Sequence, residues 1–259
     1  MKIVVCVKHV PDAQSDRGFA ADTTTDRDAV DGLLSELDEY AVEEAVRLKE
    51  AGDDVEVVAL TIGPADARDA LKKALQMGAD SGVHVSDEGV HGSDAVGTSL
   101  VLAKALEHVG YDLVLTGMAS TDGGMGVVPA MVAERLGLPQ VTYAAEVTLS
   151  AGSVRIRRDG DASTETIEAS LPALVSVTDQ INEPRYPSFK GIMAAKKKPV
   201  QELALADIGV ETAEVGLDGA WSRALEAQAR PPKAAGTVVV DDGDGAVKLV
   251  DFLASARLV

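Results

Sequence analysis

The chain has 259 residues, with 42 acidic against 24 basic side chains and a formal net charge of −18. Hydrophobic residues make up 46% of it and charged residues 25%, which indicates a globular protein and excludes disordered, collagen-like and low-complexity classes. With three Phe, one Trp and four Tyr, the core must consist of Val, Leu, Ile and Ala, which favours a parallel α/β sheet over an all-β sandwich.

The charge and the cysteine count narrow the class of protein further. An acidic surface repels the phosphates of nucleic acids and of anionic membranes, so we expect no nucleic-acid partner. The single cysteine, Cys6, excludes an intramolecular disulfide framework, and the four scattered histidines do not suggest a zinc site. Neither a signal-peptide pattern nor a run of roughly 20 apolar residues is visible. We therefore expect a cytoplasmic protein with no direct membrane insertion.

The first predicted elements are a strand and a helix, separated by a polar, Asp-rich connection. Residues 3–7 are apolar on both faces, as a strand covered by helices on either side requires. Ser35 and Asp38 resemble a capping box at the start of an amphipathic helix, which Gly52 can end. The pattern therefore begins as strand then helix.

The same alternation continues to residue 116. The predicted elements are a strand at 55–60, a helix at about 65–77 stopped by Gly78, a strand at 82–85, a helix from Ser93 or Asp94 to Gly110, and a strand at 112–116. Strands joined by crossover helices pair in parallel. This half of the chain therefore predicts a parallel sheet.

The second half departs from that pattern. After a helix ending at Gly137, two short strands joined by Ser-Ala-Gly-Ser indicate a β-hairpin. A further apolar strand, PALVSVTD, leads into NEPRYPSFKGIMAAKKKP, whose prolines predict an ordered, non-helical exit before a short helix. Beyond Pro199 the alternation fades, and we interpret the remainder as an arm that packs on another molecule.

Three segments follow predicted strands at the edge where open parallel sheets bind ligands. They are CVKHVPD, TIGP and TGMASTDGGMGVV, and the glycines of the third allow backbone amides to approach a phosphate. This predicts a mononucleotide-sized site, although a flexible strand-to-helix turn explains the glycines equally well. Neither GxGxxG nor GxxxxGK[ST] is present, so classical nicotinamide binding and ATP hydrolysis lose their main support.

The sequence supports no catalytic residue and no metal ligand. GxSxG and HExxH are absent, and Cys6 lies in an apolar strand, where a core role is favoured over a nucleophile. His9 follows the first strand and fits a scaffold role better than a catalytic one. Glu43 and Glu44 are assigned to the exposed side of the first helix, so we interpret them as solvated charges rather than a catalytic pair.

The run Lys196 to Lys198 stands out in an acidic chain. Composition favours a solvated helix end, with an electrostatic docking patch as the alternative.

The segment NEPRYPSFKGIMAAKKKP resembles the signature of the electron transfer flavoprotein β-subunit family. The matching residues, in order, are Glu183, Pro184, Arg185, Tyr186, Ile192, Met193, Ala195, Lys196 and Lys197. The VKHVPD opening and residues 38–50 and 62–80 are also similar to family segments, so the resemblance covers nearly the whole chain. Only about the last fifty residues match weakly.

The resemblance implies a doubly wound α/β fold, with a mostly parallel, Rossmann-like sheet of the adenine nucleotide alpha hydrolase-like type, an added β-hairpin and a C-terminal arm. Residues 1–198 would form the nucleotide-binding domain, including a partner-recognition loop near 179–198. Residues 199–259 would form the arm that packs on the α-subunit. Phe189 stands where a docking leucine is expected, which keeps an apolar anchor of different shape.

The implied function is that of a non-catalytic half of a heterodimer. The α-subunit would hold the redox-active FAD, and this subunit would hold a structural AMP. Electrons would arrive from acyl-CoA dehydrogenases and related flavin dehydrogenases and leave to a membrane electron transfer flavoprotein quinone oxidoreductase. The docking residues so implied are Glu183, Pro184, Arg185, Tyr186, Phe189, Ile192, Met193, Lys196 and Lys197.

Matching position by position, the resemblance implies AMP contacts in four places. These are Cys6; Ser35, Glu36, Leu37 and Asp38; Ile62; and the loop of Gly117, Met118, Ala119, Ser120, Thr121, Asp122, Gly123, Gly124, Met125, Gly126, Val127 and Val128. Relatives often carry polar residues at the last three positions, and the loop has no nearby lysine or arginine. We therefore predict that the backbone amides of residues 122–128 bind the phosphate.

Three alternatives stay open. Some family members bind a second FAD in this subunit and bifurcate electron pairs. An enzyme of the same α/β class that adenylates a substrate or hydrolyses ATP would turn ATP over when purified alone. A nucleotide-sensing module forming homodimers fits the β-α-β alternation, but it leaves the signature segment and the long tail unexplained.

Overall fold

Apolar strands and amphipathic helices alternate along the chain. The computed structural model describes residues 1–233 and 235–259, which divide into a unit from Met1 to Ala227 and a unit from Gln228 to Val259. Within these residues the strands are β1 (Lys2–Cys6), β2 (His9–Pro11), β3 (Gly32–Leu34), β4 (Glu56–Ile62), β5 (Ser81–Val85), β6 (Leu113–Gly117), β7 (Gln140–Ala144), β8 (Glu146–Ser150), β9 (Ser153–Asp159), β10 (Thr164–Ser170), β11 (Ala173–Val177) and β12 (Val200–Leu203). The helices are α1 (Glu36–Ala51), α2 (Arg68–Met77), α3 (Ala95–Val109), α4 (Val128–Leu136), α5 (Phe189–Ala195), α6 (Gly216–Gly219) and α7 (Gly245–Ser255).

Seven of these strands form the central sheet, in the order β12-β5-β4-β1-β6-β11-β7. Each pairing within this sheet is parallel. The chain builds outward from β1 through β4 to β5 and then returns to the other side of β1 with β6, so the winding reverses between β1 and β6. The predicted doubly wound α/β fold is confirmed.

Alternate residues of β1 face two separate hydrophobic cores. Ile3 and Val5 pack in the core that includes residues of α1 and α2, whereas Val4 and Cys6 pack with residues of α3 and α4. A parallel strand covered on both faces needs apolar side chains in both directions, which explains the unbroken apolar run of β1.

Local signals set the ends of several helices. Asp94 caps α3 by accepting a hydrogen bond from the N–H of Gly97 at 3.0 Å, and Gly137 ends α4 in the left-handed region with φ of 62°. The capping box predicted for α1 is wrong, because the side chain of Ser35 makes no capping hydrogen bond. The carboxylate of Asp38 binds the ends of two strands instead.

The predicted hairpin is confirmed and is larger than expected. β8 and β9 pair antiparallel, and β10 adds a third antiparallel strand to β9. Val154 and Ile156 of β9 are buried in the core that contains α1 and α2 residues. A second small pair, β2 with β3, lies directly after β1, with His9 opposite Leu34.

Residues 200–227 belong to the first unit. β12 pairs with β5, from Val200 opposite Gly82 to Leu203 opposite Val85, and two 3-10 turns follow at Leu205–Ile208 and Thr212–Glu214. The sequence did not predict this edge strand. Packing of an arm from residue 199 to 259 on an α-subunit stays a prediction.

The second unit contains α7. Its exposed apolar side chains include Val247, Leu249, Val250 and Phe252. Among the described residues, no helix is both long and apolar enough to cross a membrane.

Candidate functional site

Asp38 joins the carboxyl ends of β1 and β6, where the winding of the sheet reverses. Its Oδ2 accepts a hydrogen bond from the backbone N–H of Lys8 at 2.8 Å, and its Oδ1 accepts from the N–H of Gly117 at 3.2 Å. Asp38 is buried in the first turn of α1. The carboxylate therefore fixes the two segments that leave these strands, at the position where open α/β sheets bind ligands.

Burial controls the protonation of Asp38 and of the neighbouring thiol. Burial raises the pKa of Asp38 to about 7, although the hydrogen bonds from the N–H groups of Lys8 and Gly117 oppose the shift. Burial, and then the negative charge of Asp38, raise the pKa of Cys6 to about 12. The Cys6 thiol therefore stays protonated at neutral pH, as a core residue does and a nucleophile does not.

Two buried hydroxyl groups beside these strand ends have no hydrogen-bond partner in the described part of the chain. They are Oγ of Ser35 and Oγ1 of Thr116. Ser35 is tied to the end of β1 because its N–H donates to the carbonyl of Lys8 at 2.9 Å, and Thr116 lies opposite Cys6 in β6. An unpaired buried hydroxyl costs about 1–3 kcal/mol, so both groups are candidates for contact with a bound polar ligand.

Asp122 anchors the Gly-rich loop after β6 to basic side chains. Its Oδ1 accepts from Nζ of Lys8 at 2.8 Å and its Oδ2 from Nη2 of Arg27 at 3.0 Å, while its side chain is only 4% exposed. Burial opposes ionisation of Asp122, but the charge and hydrogen bond of Lys8 outweigh it and hold the pKa well below its usual range. The expectation that no basic residue lies near this loop is wrong, because its partners are 114 and 95 residues away in sequence.

The segment between β2 and β3, residues 12–31, lies against the same loop. Arg17 donates from Nη1 to the carbonyl of Thr121 at 2.9 Å, and Arg27 donates from Nη1 to the carbonyl of His9 at 3.2 Å. A cavity of about 140 Å³ adjoins this segment and is lined by His9, Arg27, Asp28, Pro64, Ala65 and Asp66. Lys8, Arg17 and Arg27 thus concentrate positive charge beside the loop of a chain that is acidic as a whole.

The structure brings together two of the segments predicted to bind a nucleotide. Ser35, Glu36, Leu37 and Asp38 meet the loop through the Asp38–Gly117 hydrogen bond, and Ile62 ends β4, the neighbour of β1. Along the loop, Met118, Ala119, Ser120, Thr121 and Gly126 are half-buried, and Gly123, Gly124, Met125 and Val127 are exposed. Val128 begins α4. Contact of these residues with a nucleotide stays a prediction.

Arg185 fixes the segment of residues 179–198 to α1. Its Nε and Nη2 donate to the carboxylate of Glu43 at 2.7 and 3.0 Å, and its Nη1 and Nη2 donate to Glu50 at 2.6 and 3.0 Å. The hydrogen bonds with Glu50 and then Glu43 raise the pKa of Arg185 further above its already high value. This double fork is the geometry in which arginine binds carboxylates most strongly.

Glu43 and Glu44 are buried, with 5% and 6% of their surface exposed, so the interpretation of both as solvated charges is wrong. Glu43 binds Arg185, and Glu44 accepts a hydrogen bond at 3.1 Å from Nδ2 of Asn182, which also donates to the carbonyl of Tyr40. Burial raises the pKa of Glu44. Their helix gives no sign of this burial, because the partners lie 142 and 138 residues later.

Exposed aromatic side chains follow these anchors. Tyr186 is 93% exposed and Phe189 is 79% exposed. Ser188 caps α5 by accepting from the N–H of Gly191 at 3.1 Å. Gly191 packs closely on α2, since a Cβ there would stand 2.5 Å from the carbonyl oxygen of Gln76. The exposed aromatics therefore lie between two fixed points. Of the other predicted docking residues, Glu183 and Met193 are exposed and Pro184 and Ile192 are half-buried.

The lysines after α5 have different surroundings. Lys196 and Lys197 are exposed. Lys198 departs from the solvated helix end that composition favours, because its Nζ donates to the carbonyl of Leu75 in the last turn of α2 at 2.8 Å, and burial lowers its pKa. A shallow groove of about 610 Å³ beside α5 is lined by Lys190, Met193, Ala194, Lys197, Lys198 and Pro199.

Comparison with known proteins shows a match over most of the chain. The model of the family described as "Electron transfer flavoprotein domain" matches residues 22–208. The chain is 49% identical to electron transfer flavoprotein subunit beta of Mycobacterium tuberculosis and to that of Mycobacterium leprae, over 99% of this chain and 99% of each relative. It is 31% identical to the subunit of the same name from Megasphaera elsdenii, over 97% of this chain and 96% of that relative.

Proposed function

The chain belongs to the electron transfer flavoprotein β-subunit family, and from this premise we propose that it is the nucleotide-holding, partner-docking half of a heterodimeric electron carrier of the cytoplasm. Its partner is the α-subunit, which holds most of the FAD, and this subunit has no catalytic turnover of its own. The carrier takes electrons from acyl-CoA dehydrogenases and related flavin dehydrogenases and passes them to a membrane electron transfer flavoprotein quinone oxidoreductase. The nearly full-length similarity to β-subunits carries the proposal.

We assign a structural AMP to the carboxyl ends of β1 and β6. The unpartnered hydroxyls of Ser35 and Thr116 support it, since a bound polar ligand would satisfy both. Four of residues 117–126 are glycines, so backbone amides of the loop can approach a phosphate closely. Lys8 and Arg27 add positive charge beside it. In this role the residues bind and orient the nucleotide and perform no reaction.

Nucleotide content tests the assignment. We expect one AMP and one FAD to be released when the co-expressed heterodimer is denatured and its nucleotides are separated by chromatography. Two FAD and no AMP would instead identify an electron-bifurcating member. Turnover of ATP by the purified subunit would identify an ATP-using enzyme, and a nucleotide-bound homodimer would identify a sensing module.

A substitution in the loop separates AMP binding from general stability. Gly124 has φ of +63°, so Gly124→Val strains the loop and should lower both bound AMP and the yield of heterodimer. Gly110→Val is the matched control. Gly110 has φ of +72° at the end of α3, and a Cβ added at Gly110 or at Gly124 would meet no atom within 4 Å. Equal AMP content in the Gly124→Val and wild-type heterodimers would count against the loop as the binding site.

We assign dehydrogenase docking to the surface formed by Tyr186, Phe189 and Met193, which we call the docking surface. Exposed aromatics on a fixed backbone are typical anchors of protein interfaces. The neighbouring groove adds Lys190 and Lys197 to apolar side chains, which suits a partner with acidic residues around an apolar pocket.

Phe189→Ala tests this assignment. Loss of a single anchor costs on the order of 2 kcal/mol, so we expect about a thirtyfold rise in KM for reduction of the carrier by an acyl-CoA dehydrogenase. FAD content, AMP content and melting temperature should stay unchanged. Phe19→Ala, which removes an exposed phenylalanine outside the docking surface, is the control. Unchanged kinetics in Phe189→Ala at subsaturating carrier would refute the docking role.

A further inference from the structure

Each of the three guanidinium nitrogens of Arg185 donates to a carboxylate of α1. Nε binds Glu43, Nη1 binds Glu50, and Nη2 binds both. The backbone N–H of Arg185 also donates to Glu43 at 3.2 Å. The side chain of Arg185 therefore binds within its own subunit. Its position in the segment of residues 179–198 had led us to predict a contact with the dehydrogenase.

We infer that Arg185 is a positioning residue, which holds the docking surface in one orientation and does not bind the dehydrogenase. This inference rests on the proposed function, because it assumes that the docking surface meets the dehydrogenase.

The burial of Glu43 supports the inference. The side chain of Glu43 is 7% exposed, whereas that of Arg185 is 33% exposed. If Arg185 turned toward a partner carboxylate, Glu43 would stay behind as a buried charge without its cation, which is strongly unfavourable. The exchange would also break the four side-chain hydrogen bonds that Arg185 donates to Glu43 and Glu50, so it is disfavoured.

Further anchors bracket the docking surface. Asn182 binds the carbonyl of Tyr40 and the carboxylate of Glu44 on α1, and Gly191 packs against the carbonyl of Gln76 on α2. Tyr186 and Phe189 lie between these points. Fixing the ends of so short a segment removes much of the ordering cost that a flexible loop meets on binding.

A double-mutant cycle tests the inference, with KM and kcat measured for reduction of the heterodimer by an acyl-CoA dehydrogenase and its substrate. If Arg185 acts through Glu43, then Arg185→Gln and Glu43→Gln each loosen the same segment. We expect KM to rise by about tenfold in each, with kcat nearly unchanged, and the double variant to add no more than about twofold. Effects of the two changes that multiply in the double variant would overturn the inference.

Glu43→Gln separates positioning from direct contact. If Arg185 binds the dehydrogenase, weakening its hold on Glu43 frees it for the partner, so KM should stay constant or fall. Hydrogen–deuterium exchange of residues 183–193 gives a readout without the dehydrogenase, and we expect faster exchange in both single variants. Unchanged exchange in Arg185→Gln would also overturn the inference.

Two further variants control for charge and for folding. Arg68→Gln removes an arginine of α2 that is more exposed than Arg185 and pairs with the exposed Glu202 at 2.9 Å, and it should leave KM and exchange unchanged. Arg185→Lys keeps the charge but cannot form both forks, so it should lie between wild type and Arg185→Gln. If Arg185→Gln fails to assemble, Arg185→Lys and Glu43→Gln still decide between the two roles.

Failure of the proposed function gives a different result. If Phe189→Ala leaves KM unchanged, the docking surface is wrong, and the exchange measurement alone decides whether Arg185 positions the segment. If Phe189→Ala raises KM while Glu43→Gln does not, the docking surface stands and the positioning role of Arg185 is refuted.

Discussion

The N–H of Gly117 donates to the carboxylate of Asp38, and the two residues approach so closely that a side chain at Gly117 has no space. A Cβ there would stand 2.6 Å from Oδ1 of Asp38 and 2.7 Å from the carbonyl oxygen of Leu37. Because overpacking of this kind costs about 1–3 kcal/mol, we expect Gly117→Ala to lower the free energy of unfolding by about that amount. Chemical denaturation measures the change.

Gly18→Ala is the matched control for this prediction. An added Cβ at Gly18 meets nothing within 4 Å, so its free energy of unfolding should stay close to that of the wild type. Equal stability of the two alanine variants would contradict the close contact between Gly117 and Asp38.

Asp38 predicts a pH dependence of stability. Its pKa is about 7 in the folded protein against an ordinary value of 3.8, so the folded state holds this proton more tightly than the unfolded state. The contribution of Asp38 to the free energy of unfolding is therefore fully present below about pH 4 and is lost as the pH rises through about 7. Stability relative to Asp38→Asn should fall over this window and then level off. A difference between the two proteins that does not vary with pH would exclude the shift.

We expect the ion pairs of Asp122 to protect the segment of residues 12–31 from proteolysis. Asp122→Asn removes the charge that holds Lys8 and Arg27, whose side chains are 41% and 34% exposed. Because solvent screens both cations, we expect a loss of about 1–2 kcal/mol rather than the cost of breaking a buried pair. Limited proteolysis should cut residues 12–31 faster in this variant. In the control variant Asp16→Asn, which changes an exposed carboxylate of the same segment, the protease should cut at the wild-type rate.

The exposed apolar side chains of residues 228–259 indicate that the isolated subunit is prone to aggregation. This unit exposes apolar side chains such as Val238, Val240 and Phe252, whereas every residue of the two hydrophobic cores lies at or before Val215. We expect the full chain to aggregate when expressed alone and to be rescued by the α-subunit. A chain ending at Ala227 should stay folded and soluble but lose co-purification with a tagged α-subunit. Size-exclusion chromatography measures aggregation, and affinity capture of the tagged α-subunit measures co-purification.

If the full chain alone is a monodisperse, cooperatively melting monomer whose residues 228–259 resist protease, the unit does not depend on a partner.

Sequence patterns predict the structural features that depend on residues close together in the chain. The apolar run of β1, the crossover helices and Gly137 predict strand type, pairing direction and helix end, because each depends on residues close in sequence. The resemblance of residues 183–197 to a family signature supplied the functional assignment, which the alternation alone could not.

Long-range ion pairs account for most of what the sequence did not predict. A helix pattern assigns Glu43 to the solvated face, and only a cation 142 residues later makes its burial favourable. Asp122 and Lys8 are likewise separated by 114 residues, so the charge beside the Gly-rich loop has no local signal. β12 was missed because a four-residue edge strand has too little pattern to distinguish it from a turn.

Helix α1 holds both the ends of β1 and β6 and the segment of residues 179–198, and this limits how the subunit can be re-engineered. Its first turn supplies Asp38 to the strand ends, and its later turns supply Glu43, Glu44 and Glu50 to Arg185 and Asn182. A graft of residues 179–198 from another carrier would leave behind the side chains of its own first helix, and this chain would hold the graft only where it repeats Arg185 and Asn182. The transplantable module is therefore discontinuous, and it consists of that segment together with residues 40–50.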